Sequence, residues 1–145
     1  VYGPGASPSS KDRGIISMMI KKAINNENLS VYGDGEFTRD YIFIKDVANA
    51  FLLAAMRSVS LEGRAYNICS GFGRTIRSAF ETIIKYVNSE IGTTSILKNI
   101  TEPAYLLPIE NRNFVGSYNS FNEKTGWKPE YSFEQGIEET IKSLK

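Results

Sequence analysis

The chain has 145 residues, 41% hydrophobic and 23% charged, and its 17 basic and 16 acidic side chains leave a formal net charge of +1. That is ordinary for one globular domain, and the absence of a Lys/Arg block or of an apolar run near ~18 residues argues against nucleic-acid binding and a membrane span. Histidine is absent and Cys69 is the one cysteine, which excludes a His-based triad, a His metal site and an internal disulfide within this chain and fits a reducing, cytoplasmic setting.

Val1-Tyr2-Gly3-Pro4-Gly5 has no initiator Met and no signal-peptide pattern. It reads as the end of a strand entering a turn, so the chain is expected to be a fragment of a longer one. Residues 3–12 are rich in Gly, Pro and Ser and read as a loop. Ile16, Ile20, Ala23 and Ile24 then fall at helical spacing, with Lys21, Lys22 and Asn25 off the stripe. Leu29–Tyr32 reads as a short strand, and Gly33-Asp34-Gly35 as a turn whose glycines take positive φ.

Residues 41–44 are aromatic and β-branched without a polar gap, predicting a strand covered on both faces. Asp46 stands where an N-cap belongs. Residues 47–56 follow as a helix apolar nearly all round, which needs neighbours on most sides. Residues 65–69 predict another strand. Thr75 caps a third helix, with Ile76, Phe80, Ile83, Ile84, Val87 and Ile91 on one side and Gly92 in the left-handed position after it. A strand over 95–97, a loop over 103–113 and a short helix over 120–124 come next. Ser132 and Gln135 make a capping box for the last helix, which continues with Ile137, Ile141 and Leu144 on its apolar face. Alternating strands and helices give an α/β fold with a small irregular C-terminal lobe.

Several of these segments carry a resemblance. Val-Tyr-Gly-Pro at the start, Gly14-Ile15-Ile16-Ser17, Tyr32-Gly33-Asp34-Gly35, Thr38-Arg39-Asp40-Tyr41-Ile42, Asp46 before Val47, Tyr66-Asn67-Ile68 and Gly126-Trp127-Lys128-Pro129 recur in this order. Together they resemble the second half of the extended short-chain dehydrogenase/reductases, the NAD-dependent nucleotide-sugar epimerases and dehydratases of UDP-glucose 4-epimerase type. The resemblance runs through almost the whole chain. It implies the C-terminal part of a Rossmann-type protein with a small mixed α/β substrate lobe, residues 1–145 forming one substrate-binding part.

That family binds the NAD pyrophosphate at a Gly-x-x-Gly-x-x-Gly turn, a pattern this sequence lacks. It exchanges a proton with the sugar through a Tyr-x-x-x-Lys pair, and none of the eight tyrosines is assigned to that pair here. Both are expected upstream, in a dinucleotide-binding half, so this chain alone is expected to be inactive and to hold no catalytic residue and no metal.

Arg39 is the first candidate ligand residue. A guanidinium forms two parallel charge-assisted bonds to diphosphate oxygens, and the resemblance gives the arginine of Thr-Arg-Asp that contact; an ion pair with Asp40 or Asp46 is the structural alternative. Ser30, Val31 and Tyr32 map onto the strand whose backbone meets the nucleotide base, with Tyr32 suited to stacking or to simple core packing. Arg112 lies where many members close an arginine over the diphosphate, although the usual Gly-Asp after it is missing. Ser117 stands where many members carry Asp. Asp34 and Glu36 read as an exposed turn, Trp127 as a core anchor, Cys69 as buried and inert, and Arg74 and Arg77 as solvated.

The function these readings imply is binding of the nucleotide-diphosphate part of a sugar nucleotide, UDP or dTDP first, for NAD-dependent epimerisation or dehydration of the sugar. The alternative is a non-catalytic nucleotide-binding or protein-interaction module of the same fold. Expected partners are the sugar nucleotide, the dinucleotide-binding half and, as the resemblance allows, a second copy in a homodimer.

Overall fold

The computed structural model describes residues 1–5, 14–102 and 112–144. Much of the loops expected over 3–12 and 103–113 lies outside them. Helix α1 (Ile15–Ile24) buries Ile16, Ile20 and Ala23, the stripe read from spacing. β1 (Leu29–Tyr32) follows with alternating burial, and the turn after it has positive φ at Gly33 and Gly35.

The next stretch departs from expectation. The strand is β2 (Thr38–Asp40), and 41–44 carries only one parallel bridge, between Phe43 and Tyr2. Tyr2 donates its N–H to the Ile42 carbonyl at 3.0 Å and accepts from Ile44 N–H at 2.8 Å. The amides of Asp46 and Val47 already donate to the Phe43 carbonyl. Helix α2 (Ile44–Met56) therefore starts three residues early, with Phe43 at the N-cap and no side-chain cap. Ile42 and Phe43 are buried without a ladder.

A short α3 (Ser58–Leu61) comes next. Residues 65–69 are not a strand: Tyr66 and Ile68 pack inward, but no strand pairs with them among the described residues. Extended backbone becomes a strand only when a neighbour takes its N–H and C=O groups.

β3 (Gly73–Thr75) leads into α4 (Ile76–Ile91), whose cap is Thr75 accepting from Ser78 N–H at 3.1 Å and whose end is Gly92 at φ 81°. β4 (Leu97–Ile100) lies slightly later than the 95–97 expected. α5 (Asn119–Thr125) and α6 (Phe133–Lys142) complete the chain, and α6 has both hydrogen bonds of the Ser132/Gln135 capping box.

Among the described residues there are two small sheets. β1 pairs in parallel with β4, Leu29 opposite Leu97, and β2 pairs antiparallel with β3, Arg39 opposite Arg74. The larger core joins α1, β1, α4 and α6 through Ile20, Leu29, Ile83, Val87, Ile137 and Ile141. A second core gathers Ile42, Ala50, Leu61, Phe121 and Trp127, giving Trp127 the anchoring place expected of it.

α2 buries little of its apolar surface. Ala50 and Asp46 are buried, whereas Phe51 is 71%, Leu52 61% and Met56 70% exposed. Among the described residues no helix is long and apolar enough to cross a membrane.

Candidate functional site

The site is built around β2. Its three residues carry two kinds of side chain on opposite faces, as period-2 geometry requires. Asp40 turns toward the loops. Its carboxylate accepts from Ser70 N–H at 2.8 Å, Ser70 Oγ at 2.6 Å, Gly71 N–H at 3.0 Å and Gly116 N–H at 3.1 Å. One side chain thus fixes two loops against the strand.

Arg39 takes the other face. Its Nη1 donates to its neighbour's carbonyl at Thr38, 3.1 Å away, and to the carbonyl of Arg112. The Arg112 segment is tied to the same strand twice more: Thr38 N–H donates to Asn113 Oδ1 at 2.8 Å, and Phe114 N–H to the Thr38 carbonyl at 3.0 Å. The Arg39 guanidinium thereby reaches the backbone of Arg112, 73 positions away. Arg112 is exposed, its guanidinium 5.8 Å from the centroid of the Phe114 ring.

Arg39 also faces Arg74 across the β2–β3 ladder. Like charges directly opposite one another destabilise a sheet. Arg74 is neutralised by Glu134 at 2.6 Å and lies over the Phe133 ring at 4.6 Å. It is therefore not the solvated arginine expected. Nor is Arg77, which donates to the Asp34 carbonyl at 2.6 Å and to Asn99 Oδ1 at 3.0 Å, locking the glycine turn to α4 and β4. A cleft of about 690 Å³ opens beside this hairpin, lined by Tyr41, Phe72, Arg74, Tyr131 and Phe133 among others.

The β1 candidates divide. Val31 is buried, so only its backbone could meet a ligand, while Ser30 and Tyr32 face outward. Asp34 stays in an exposed turn, accepting from Glu36 N–H at 3.1 Å. Among the described residues no group of three His, Cys, Asp or Glu side chains could hold a metal ion.

Asp46 is not a helix cap. It is buried in the first turn of α2 and accepts from Glu130 N–H at 2.9 Å and Tyr131 N–H at 3.3 Å. Cys69 is buried, its thiol pushed up by burial and by Asp40, which keeps it protonated and unreactive.

One tyrosine does stand four residues before a lysine, Tyr41 before Lys45, which corrects the expectation that the chain holds no Tyr-x-x-x-Lys spacing. The structure gives it no catalytic form. Tyr41 precedes α2, so the two are not one helical turn apart, and Lys45 is paired with Glu139 at 2.6 Å. Burial raises the Tyr41 phenol, with Arg39 opposing, whereas a catalytic base of this type needs the reverse.

Sequence reasoning missed the organising role of Asp40, the Asn113 bridge and the Arg74–Glu134 pair. The acid beside Arg39 was visible, but its partners lie at least 30 residues away.

A model of the NAD-dependent epimerase/dehydratase family matches residues 1–69. The chain is 29% identical to a dTDP-glucose 4,6-dehydratase of Xanthomonas campestris pv. campestris, with 97% of this chain and 39% of that protein covered. It is 31% identical to a putative UDP-glucose 4-epimerase of Methanocaldococcus jannaschii, over 100% of this chain and 43% of that protein. Among solved structures it resembles a UDP-glucose 4-epimerase of Thermotoga maritima with UDP-glucose, at 25% identity and a TM-score of 0.69, over 90% of this chain and 39% of that one. The chain thus spans about two fifths of the length of these relatives. The landmarks along the sequence, the α/β fold and these matches agree: residues 1–69 match the NAD-dependent epimerase/dehydratase family, and nearly the whole chain is similar to a dehydratase and a putative epimerase.

Proposed function

We propose that this chain supplies the sugar-nucleotide side of an NAD-dependent epimerase or dehydratase, holding the diphosphate with Arg39 and Arg112 and the base along β1. The observation that supports this reading is the docking of residues 112–114 on β2, where the Arg39 guanidinium donates to the backbone carbonyl of Arg112, in a fold whose relatives are named for sugar nucleotides. A guanidinium already held by backbone carbonyls loses less freedom when a ligand arrives. UDP or dTDP sugars are the expected ligands.

The residues present do not fit the dinucleotide itself. No Gly-x-x-Gly-x-x-Gly run occurs, and Tyr41 and Lys45 are not arranged as a catalytic pair. NAD and the proton-exchanging tyrosine are assigned to sequence outside this chain, which alone does not turn over substrate. The role left to this part is to hold the non-reacting end of the substrate and so place the sugar ring.

Calorimetric titration of the chain with UDP, dTDP and the corresponding nucleosides tests the reading. Diphosphates binding at least tenfold tighter than nucleosides supports it. Equal or undetectable binding of both removes it.

A further inference from the structure

The β1–β4 sheet turns one face to the core and the other outward. Leu29 and Leu97 lie on the inner side, and the register sets Ser30 opposite Lys98 and Tyr32 opposite Ile100. Partners in a parallel ladder share a face, so these four side chains form one outward patch. Tyr32 is 43% exposed and Ile100 42%, giving the patch a flat apolar end.

The ladder leaves one edge of β1 open. Leu29 and Gly33 donate to the Ile96 and Ile100 carbonyls, at 3.0 Å each. The backbone groups of Ser30 and Tyr32, alternating with these, therefore face away from β4. β4 is the one ladder neighbour of β1 among the described residues. Lys98 is exposed, and its ammonium has no ion pair or hydrogen bond there.

We infer that Lys98 is a specificity residue, donating from its ammonium to an exocyclic carbonyl of a nucleobase packed on Tyr32 and Ile100. This rests on the proposed function, in which β1 meets the base. The patch suits a base better than a phosphate: an aromatic and an aliphatic side chain offer a π-face and a flat surface, while Arg39 lies on β2 in the other sheet and Arg112 in the segment docked on it. An ammonium has donors and no acceptor. It favours uracil or thymine, each with two exocyclic carbonyls, over adenine, which has no carbonyl and offers only ring-nitrogen acceptors.

The full chain and its Lys98→Met variant, which keeps the apolar stem, are titrated calorimetrically with UDP and ADP at one ionic strength. Lys98→Met weakens UDP about tenfold, the scale of a hydrogen bond to a charged group, and leaves ADP unchanged. Tyr32→Ala weakens both nucleotides, because stacking does not read base edges. An equal loss for UDP and ADP in Lys98→Met would mark a phosphate contact and overturn the inference, as would no loss at all; the nucleotide site would then still stand. A Tyr32→Ala variant that binds both normally moves the base off this face and overturns it too. A wild-type chain that binds neither nucleotide removes the site and the inference together.

Discussion

Asp46 and Glu130 lie 84 positions apart, yet the carboxylate of the first accepts the backbone N–H of the second at 2.9 Å, and that of Tyr131 at 3.3 Å. A carboxylate in the first turn of α2 therefore holds the segment leading into α6, joining the two cores. The bonds are charge-assisted and the acceptor is buried. Asp46→Ala is expected to lower unfolding stability by about 2–4 kcal/mol, since it strands two amides. Asp46→Asn, which keeps one acceptor, is expected to cost less. Urea unfolding measures both, and a midpoint within error of wild type for Asp46→Ala would show that water replaces the carboxylate.

Arg39→Ala is expected to weaken UDP binding by about 1.5–3 kcal/mol, the scale of a charge-assisted bond. Its guanidinium also holds the Arg112 carbonyl, so some of that loss could come from a loosened loop. Arg112→Ala, which leaves its own carbonyl in place, separates the two. If Arg39→Ala binds UDP as wild type does, Arg39 is not in the site.

Tyr2 and Gly136 touch so closely that a Cβ at 136 would come within 2.8 Å of Tyr2 Cζ and 2.9 Å of Phe43 Cδ2. Gly136→Ala is expected to cost about 1–3 kcal/mol by overpacking, with part of the loss recovered in a Tyr2→Phe background, where the hydroxyl no longer occupies the space. Equal costs in the two backgrounds would show that the helix shifts away instead.

The same phenol gives a pH dependence. Burial first, then Glu134 and Asp46, push the Tyr2 hydroxyl well above its ordinary value, and burial raises Tyr41 as well. A folded-state value above the unfolded one leaves stability intact below about pH 10, the ordinary tyrosine value. Above it the unfolded chain releases protons that the folded chain retains, so stability falls as pH rises. Thermal melts between pH 8 and 11 are expected to show that decline, shallower in Tyr2→Phe. A flat profile in wild type would mean that the phenols ionise as readily in the folded chain.

What the sequence showed and what it hid follow from the range of the interactions. The α1 stripe, the Thr75 cap, Gly92 and the Ser132/Gln135 box were legible because each is settled within a few residues. Residues 41–44 misled because an apolar run records burial and not pairing: Ile42 and Phe43 are buried as expected, but only Phe43 forms a bridge. Asp46 looked like a cap for the same local reason, while its partners lie far along the chain. Arg39 was singled out from its neighbours, whereas its contact with the Arg112 carbonyl was not visible because nothing in the spacing reports a distance across 73 positions.

The apolar surface of α2 can be tested directly. Ile44, Phe51, Leu52, Met56 and, beyond the helix end, Val59 are all exposed, and the helical positions fall on one broad face of α2. An exposed patch of this kind marks an interaction surface or an aggregation liability. In the proposed parent protein the dinucleotide-binding part would cover it. The 145-residue chain alone is therefore expected to bind a hydrophobic dye and to self-associate at micromolar concentration. Phe51→Lys with Leu52→Glu should suppress both while changing stability by no more than about 0.5 kcal/mol per site, as for surface positions generally. Light scattering and dye fluorescence on the two proteins decide the matter. A compact, dye-negative wild-type monomer would mean that the patch needs no cover, and would count against a missing partner packed on α2.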